Sequence, residues 1–95
     1  MNVRFYIDPD TEQPHIAGHG VTEEEVFDVL RRPLENRAGS GDSRVLIGRT
    51  SAGRFLRVIL AFDDDGEGVF VITAFQITGK PLTALRRRLR RRGMQ

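Results

Sequence analysis

Two histidines and a scatter of arginines are the residues of this 95-residue chain whose types and spacing suit chemistry. His15 and His19 are spaced i, i+4, so in a continuous helix they share a face. That spacing can hold zinc, as in the HExxH pattern, but the residues between them are Ile16, Ala17 and Gly18, with no glutamate to act as base and no third ligand evident. The bland reading of each is a structural histidine near a helix end. The functional reading is a proton donor or acceptor, because imidazole titrates near neutrality. Arg44, Arg49, Arg54 and Arg57 all fall in or beside segments that read as strands. Arginine is costly to bury unpaired, so four on a small sheet point either to a ligand-facing patch or to cross-strand ion pairs with Glu35, Asp42 or the acidic loop that follows. Guanidinium forks match phosphate oxygens and stabilise charge that grows on a phosphoryl group. Lys80 is a further cation that such a site could use.

Several other chemistries lack their residues. There is no cysteine, hence no disulfide framework, thiolate nucleophile or thiolate zinc site. No Gly-x-x-x-x-Gly-Lys-Ser/Thr run and no Gly-x-Ser-x-Gly elbow is present. The loop Asp63-Asp64-Asp65-Gly66-Glu67 has neither the alternating spacing nor the distal glutamate of an EF-hand and reads as a solvated hairpin turn. No metal and no cofactor is expected. The apolar runs are too short to span a bilayer and Met1 does not lead into a signal peptide, so a soluble, cytoplasmic protein is the expectation. The formal net charge of +2 conceals an asymmetry: six arginines lie between Arg86 and Arg92, and the rest of the chain carries nine basic against thirteen acidic residues. A basic end on an acidic body suits phosphates or an acidic partner, or is simply a solvated helix face.

The elements that must position these residues form one domain over 1–95, with one modest core. Val3 to Ile7 reads as an edge strand. A first helix starts at Pro9 or again near Pro14, since proline suits the first helical turn and interrupts anything already begun. Gly20 ends it as a C′ residue. Thr22 then caps a second helix running from Glu23 to about Arg32, with Glu25 completing a capping box, Val21 and Val26 forming a hydrophobic staple, and three glutamates at the positive end of the dipole. Pro33 stops it. Leu34 to Ala38 reads as a brief strand, followed by strands over Arg44–Thr50, Arg54–Phe62 and Val69–Gln76. Leu82, Leu85 and Leu89 give the last helix a narrow apolar stripe. The expectation is an α+β domain: N-terminal helices and a C-terminal basic helix packed on a small antiparallel sheet of about four strands.

The segment from His15 to Val26 resembles the "HIxxHGVxxEEV" opening of small proteins related to the BrnT toxins, within the wider RelE/ParE-like superfamily. Three further segments agree in order: Ile47 to Leu56 is similar to the family's "GRTxxGRxL" hairpin, Val71-Ile72-Thr73-Ala74 to its "VITA" strand, and Thr83 to Arg91 to its arginine-rich closing helix. The likeness covers about Phe5 to Arg91. It implies a RelE-like fold and the toxin of a type II toxin–antitoxin pair, a metal-independent endoribonuclease in which the ribose 2′-OH attacks the adjacent phosphate. Arg49 and Arg54 match the hairpin arginines, and His19 matches the histidine of the "HG" turn, with His15 where relatives carry asparagine or histidine. Arg44, Arg57 and Lys80 are candidates from chemistry alone, and Arg86 and Arg90 of the basic helix are candidate RNA contacts. One departure stands out: relatives close the "VITA"-type strand with an arginine ascribed to the active site, and here that position is Phe75, followed by Gln76. Either Lys80 or another arginine substitutes, or the chain is a non-catalytic relative that binds RNA or a protein partner. RNA, a cognate antitoxin and a second copy of the chain paired through exposed strand edges are the partners these readings imply.

Overall fold

The computed structural model describes residues 2–93. It is an α+β domain built on five strands: β1 (Asn2–Phe5), β2 (Glu35–Ala38), β3 (Ser43–Arg49), β4 (Phe55–Phe62) and β5 (Gly68–Gln76), in the order β1-β5-β4-β3-β2. The expected sheet of about four antiparallel strands is therefore larger and mixed. β2 through β5 are antiparallel neighbours, but β1 pairs parallel with β5, Val3 opposite Val69 and Phe5 opposite Val71. After β1 the chain runs through α1 (Glu23–Arg31) to the far edge and returns by three hairpin steps. A parallel partner needs such a long excursion, which no local pattern reveals.

The start of α1 follows from its own residues. The Thr22 hydroxyl accepts from the Glu25 backbone N–H at 3.1 Å, and the Glu25 carboxylate accepts from the Thr22 N–H at 3.1 Å. Val21 and Val26 are both buried in the core beneath this corner. The preceding helix is shorter than expected. Nothing helical begins at Pro9. Instead Asp8 to Gln13 closes as a turn, with the Asp8 N–H donating to the Gln13 carbonyl at 2.8 Å, and Ile7 bridges Pro14. Only a 3-10 helix over His15–His19 forms, ended by Gly20 at φ 69°. Tying Pro14 back to the strand fixes where this short helix can start.

The two sheet faces bury different elements. Leu46, Leu56, Val58, Leu60, Val69, Val71 and Ala74 meet Ile16, Val21, Val26 and Val29 of the N-terminal half. Burial of each large apolar side chain here contributes about 1.5–3 kcal/mol. Gly48 makes the close approach of α1 possible, since a Cβ there would lie 2.9 Å from Val29 Cγ1 and 3.2 Å from its Cα. Asp28 ties the same helix to the β3–β4 turn, accepting from the Ser51 N–H at 2.9 Å and the Ser51 hydroxyl at 3.0 Å. These bonds, the backbone one first, lower its carboxyl below the usual range.

On the opposite face α2 (Gly79–Arg91) lays Leu85 and Leu89 on Ile47, Phe55 and Ile77. Its basic character is partly structural. Glu35 of β2, 8 % exposed, accepts from Arg88 at 2.8 and 2.9 Å, from Arg92 at 2.6 Å, and from Arg37. The Arg88 hydrogen bonds lead in holding the Glu35 carboxyl down to about 2. Among the described residues no helix is long and apolar enough to cross a membrane.

Candidate functional site

α2 covers only one end of its sheet face. Beyond Ile47, Phe55 and Ile77, the residues on that face remain half-exposed: Val45, Arg57, Ile59, Phe70, Thr73 and Phe75. A bulge decides which residues share it. Ile59 pairs with Thr73 while Leu60 pairs with Val71, leaving Ile72 as the extra residue of β5. Phe70 and Phe75 are five residues apart and would lie on opposite faces of a regular strand. The bulge turns both to the side that bears Arg57, through the pairs Phe70–Ala61 and Phe75–Arg57.

The 3-10 helix packs on β5 and reaches both faces at its edge. Ile16 enters the core on the α1 side, while the His19 ring lies 6.1 Å from Phe75 on the other. His15 and His19 do come together, their ring centroids 5.1 Å apart. His15 Nδ1 is 3.6 Å from an Asp8 carboxylate oxygen, an ion pair once the imidazole is protonated. The Arg57 guanidinium stands 6.0 Å from the centre of the same Phe75 ring. Its Nε and the Thr73 hydroxyl are inaccessible to water and hydrogen-bond to nothing among the described residues. A donor buried and left unpaired in this way costs free energy.

The four strand arginines do not form one patch. Arg49 and Arg57 occupy the α2 face, Arg49 with its guanidinium 5.4 Å from the Phe55 ring centre. Arg44 pairs with Leu60 on the α1 face and donates to Asn36 at 2.9 Å. Arg54, just before β4, is held on the α1 side by Glu25 at 2.7 and 2.9 Å, by the Gly20 carbonyl at 3.2 Å and by Gln76 at 3.3 Å. The capping-box carboxylate thus serves both Thr22 and Arg54, and Arg54 ties the "HG" turn to the β3–β4 hairpin. Lys80 lies exposed in the first turn of α2, and Arg86 and Arg90 are exposed further along it, with no ion pair among the described residues.

Comparison with family models, with curated proteins and with solved structures finds no match to this chain.

The residues that reasoning from sequence passed over are Arg4, Tyr6 and Phe70. Tyr6 is 6.0 Å from His15 and 6.4 Å from Phe70, and the Arg4 guanidinium is 5.6 Å from the Phe70 ring centre. Arg4 and Tyr6 are two apart at the first strand, so alternation alone places them on one face. Their neighbourhood with Phe70 required the parallel pairing of β1 with β5.

Proposed function

We propose that this chain is a metal-independent endoribonuclease of the BrnT and RelE-like type, the toxin of a toxin–antitoxin pair, with its reaction centred on His19, His15 and Arg57. The observation that carries the reading is the placement of Arg57. It is the cross-strand partner of Phe75, so it sets a guanidinium beside the position where the resembled family carries its own, and His19 packs near the same Phe75 ring. Arg57 is the substitute for that absent arginine. Arg54 acts differently: engaged by Glu25, it positions the histidine turn and is a structural residue rather than a phosphate ligand.

The chemistry needs three tasks. A base takes the proton of the ribose 2′-OH as its oxygen attacks phosphorus. A cation stabilises the charge on the non-bridging oxygens. An acid gives a proton to the departing 5′-oxygen as the P–O5′ bond breaks, leaving a 2′,3′-cyclic phosphate and a 5′-hydroxyl. His19 and His15 divide the proton transfers and Arg57 supplies the cation. On RNA in the presence of a chelator, the purified protein is expected to leave 5′-hydroxyl ends, and His19→Ala to lower the rate by about 10²–10⁴. Products bearing 5′-phosphates, or an unchanged rate in His19→Ala, would overturn the assignment.

A second reading has a specific observation in its favour. Phe75 holds the position of the family's arginine with its ring near both His19 and Arg57, and the hairpin arginine Arg54 is occupied. A relative that binds RNA without cutting it would look the same. Retained RNA binding with no cleavage under any condition distinguishes it.

A further inference from the structure

The aromatic side chains around the candidate site form one continuous run. Phe70, Tyr6, His15, His19 and Phe75 follow one another with ring centroids 6.4, 6.0, 5.1 and 6.1 Å apart. The consecutive pairs are tilted or edge-to-face and none is stacked face to face, so no ring has both flat sides taken by its neighbours in the run alone; Arg4 and Arg57 take one face each of the terminal rings, Phe70 and Phe75. Tyr6 is 42 % exposed and the His15 side chain is 39 % exposed. A core role explains neither. The run has a cation at each end, but the two differ. Arg4 is neutralised by its ion pair with Asp63, whereas Arg57 makes no ion pair among the described residues.

We infer that this run is a stacking platform for the unpaired bases of a single-stranded RNA segment, whose backbone meets the protein at the Arg57 end. Bases stack on aromatic and imidazole planes whatever their identity, and only an unpaired strand exposes both base faces to them. A duplex keeps its base faces stacked on one another and offers none of them to this surface. With the C-terminal arginines set aside, the body of the protein has more acidic than basic residues, and the hairpin beside Arg4 carries Asp63, Asp64, Asp65 and Glu67. That end repels a phosphate backbone, so binding there depends on the rings. The inference rests on RNA being the ligand of this face, and it is independent of whether the RNA is cut.

Tyr6 supplies the readout, being the only tyrosine in a chain without tryptophan. A 2′-O-methyl oligouridylate of twelve residues cannot undergo 2′-OH attack and serves as the single-stranded probe. Titrating it into the full-length protein is expected to quench Tyr6 emission, and a 2′-O-methyl duplex of the same length is expected not to. With a fluorescein-labelled probe, Phe70→Ala and Tyr6→Ala should each weaken binding about tenfold, while Tyr6→Phe keeps the ring and the affinity. Arg57→Ala should reduce the salt slope by about one counterion, and the ring variants should leave it unchanged. Equal binding of duplex and single strand, no binding of either, or wild-type affinity in a folded Phe70→Ala protein would overturn the platform. Binding by the platform without cleavage of unmodified RNA removes the nuclease reading and leaves the platform standing. Cleavage with no effect of the two alanine variants does the reverse.

Discussion

Glu35 shows how one side chain can take over a role that composition assigns elsewhere. Three arginines converge on it, Arg88 from α2, Arg92 just beyond its end and Arg37 from β2, and its carboxyl is held down to about 2 from an ordinary 4.5. The folded form therefore binds this proton more weakly than the unfolded form does. The stabilisation is fully present above pH 4.5 and is lost as pH falls from there toward 2. A Glu35→Gln protein is expected to be about 2–3 kcal/mol less stable by urea unfolding at pH 7, with most of the difference gone near pH 2. Equal pH profiles for the two proteins would contradict the role given to this carboxylate. Gly48 is the second residue on which a whole contact turns. Its missing Cβ is the space that Val29 fills, so Gly48→Ala should cost about 1–3 kcal/mol through overpacking. A chemical-denaturation midpoint equal to wild type would show that α1 can shift away at no cost.

At the scale of elements, what the sequence made legible was local. The capping box at Thr22, the staple, the stop at Gly20 and the docking leucines of α2 each depend on residues a few positions apart, and all appear where their spacing predicts. Thr22→Ala should lower stability by about 1 kcal/mol and loosen the Glu25–Arg54 bridge, because the Thr22 hydroxyl holds the Glu25 backbone whose carboxylate engages Arg54. Thermal unfolding of the single and double variants of Thr22 and Arg54 measures that coupling as a departure from additivity. What the sequence concealed depended on register. The bulge at Ile72 is a property of the β4–β5 pairing, and without it Phe70 and Phe75 cannot be placed on one face. The parallel seat of β1 beside β5 joins residues more than sixty positions apart. The division of the arginines was partly legible: spacings of five between Arg44 and Arg49, and of three between Arg54 and Arg57, already separate each pair under strand alternation. Reading them as one patch neglected that parity.

Across the whole molecule the charge is divided by task. Arg88 and Arg92 hold α2 to β2, and Arg54 holds the hairpin to the histidine turn, so much of the positive charge that suggests a nucleic-acid surface is spent on the fold itself. Among the described residues Arg57 stands without an ion pair on the half-open face, over Phe75, with Arg49 at its covered end. The proposed activity therefore requires Arg57 and does not require Arg54 for chemistry. Expression of the chain under tight control, with new RNA 5′ ends mapped across the transcriptome, tests this most directly. Wild type should arrest growth and create new ends, an Arg54→Lys protein should still do so, and Arg57→Ala, expressed and folded, should give neither. Normal growth and an unchanged map for the wild-type protein, or new ends that persist in Arg57→Ala, would contradict the assignment.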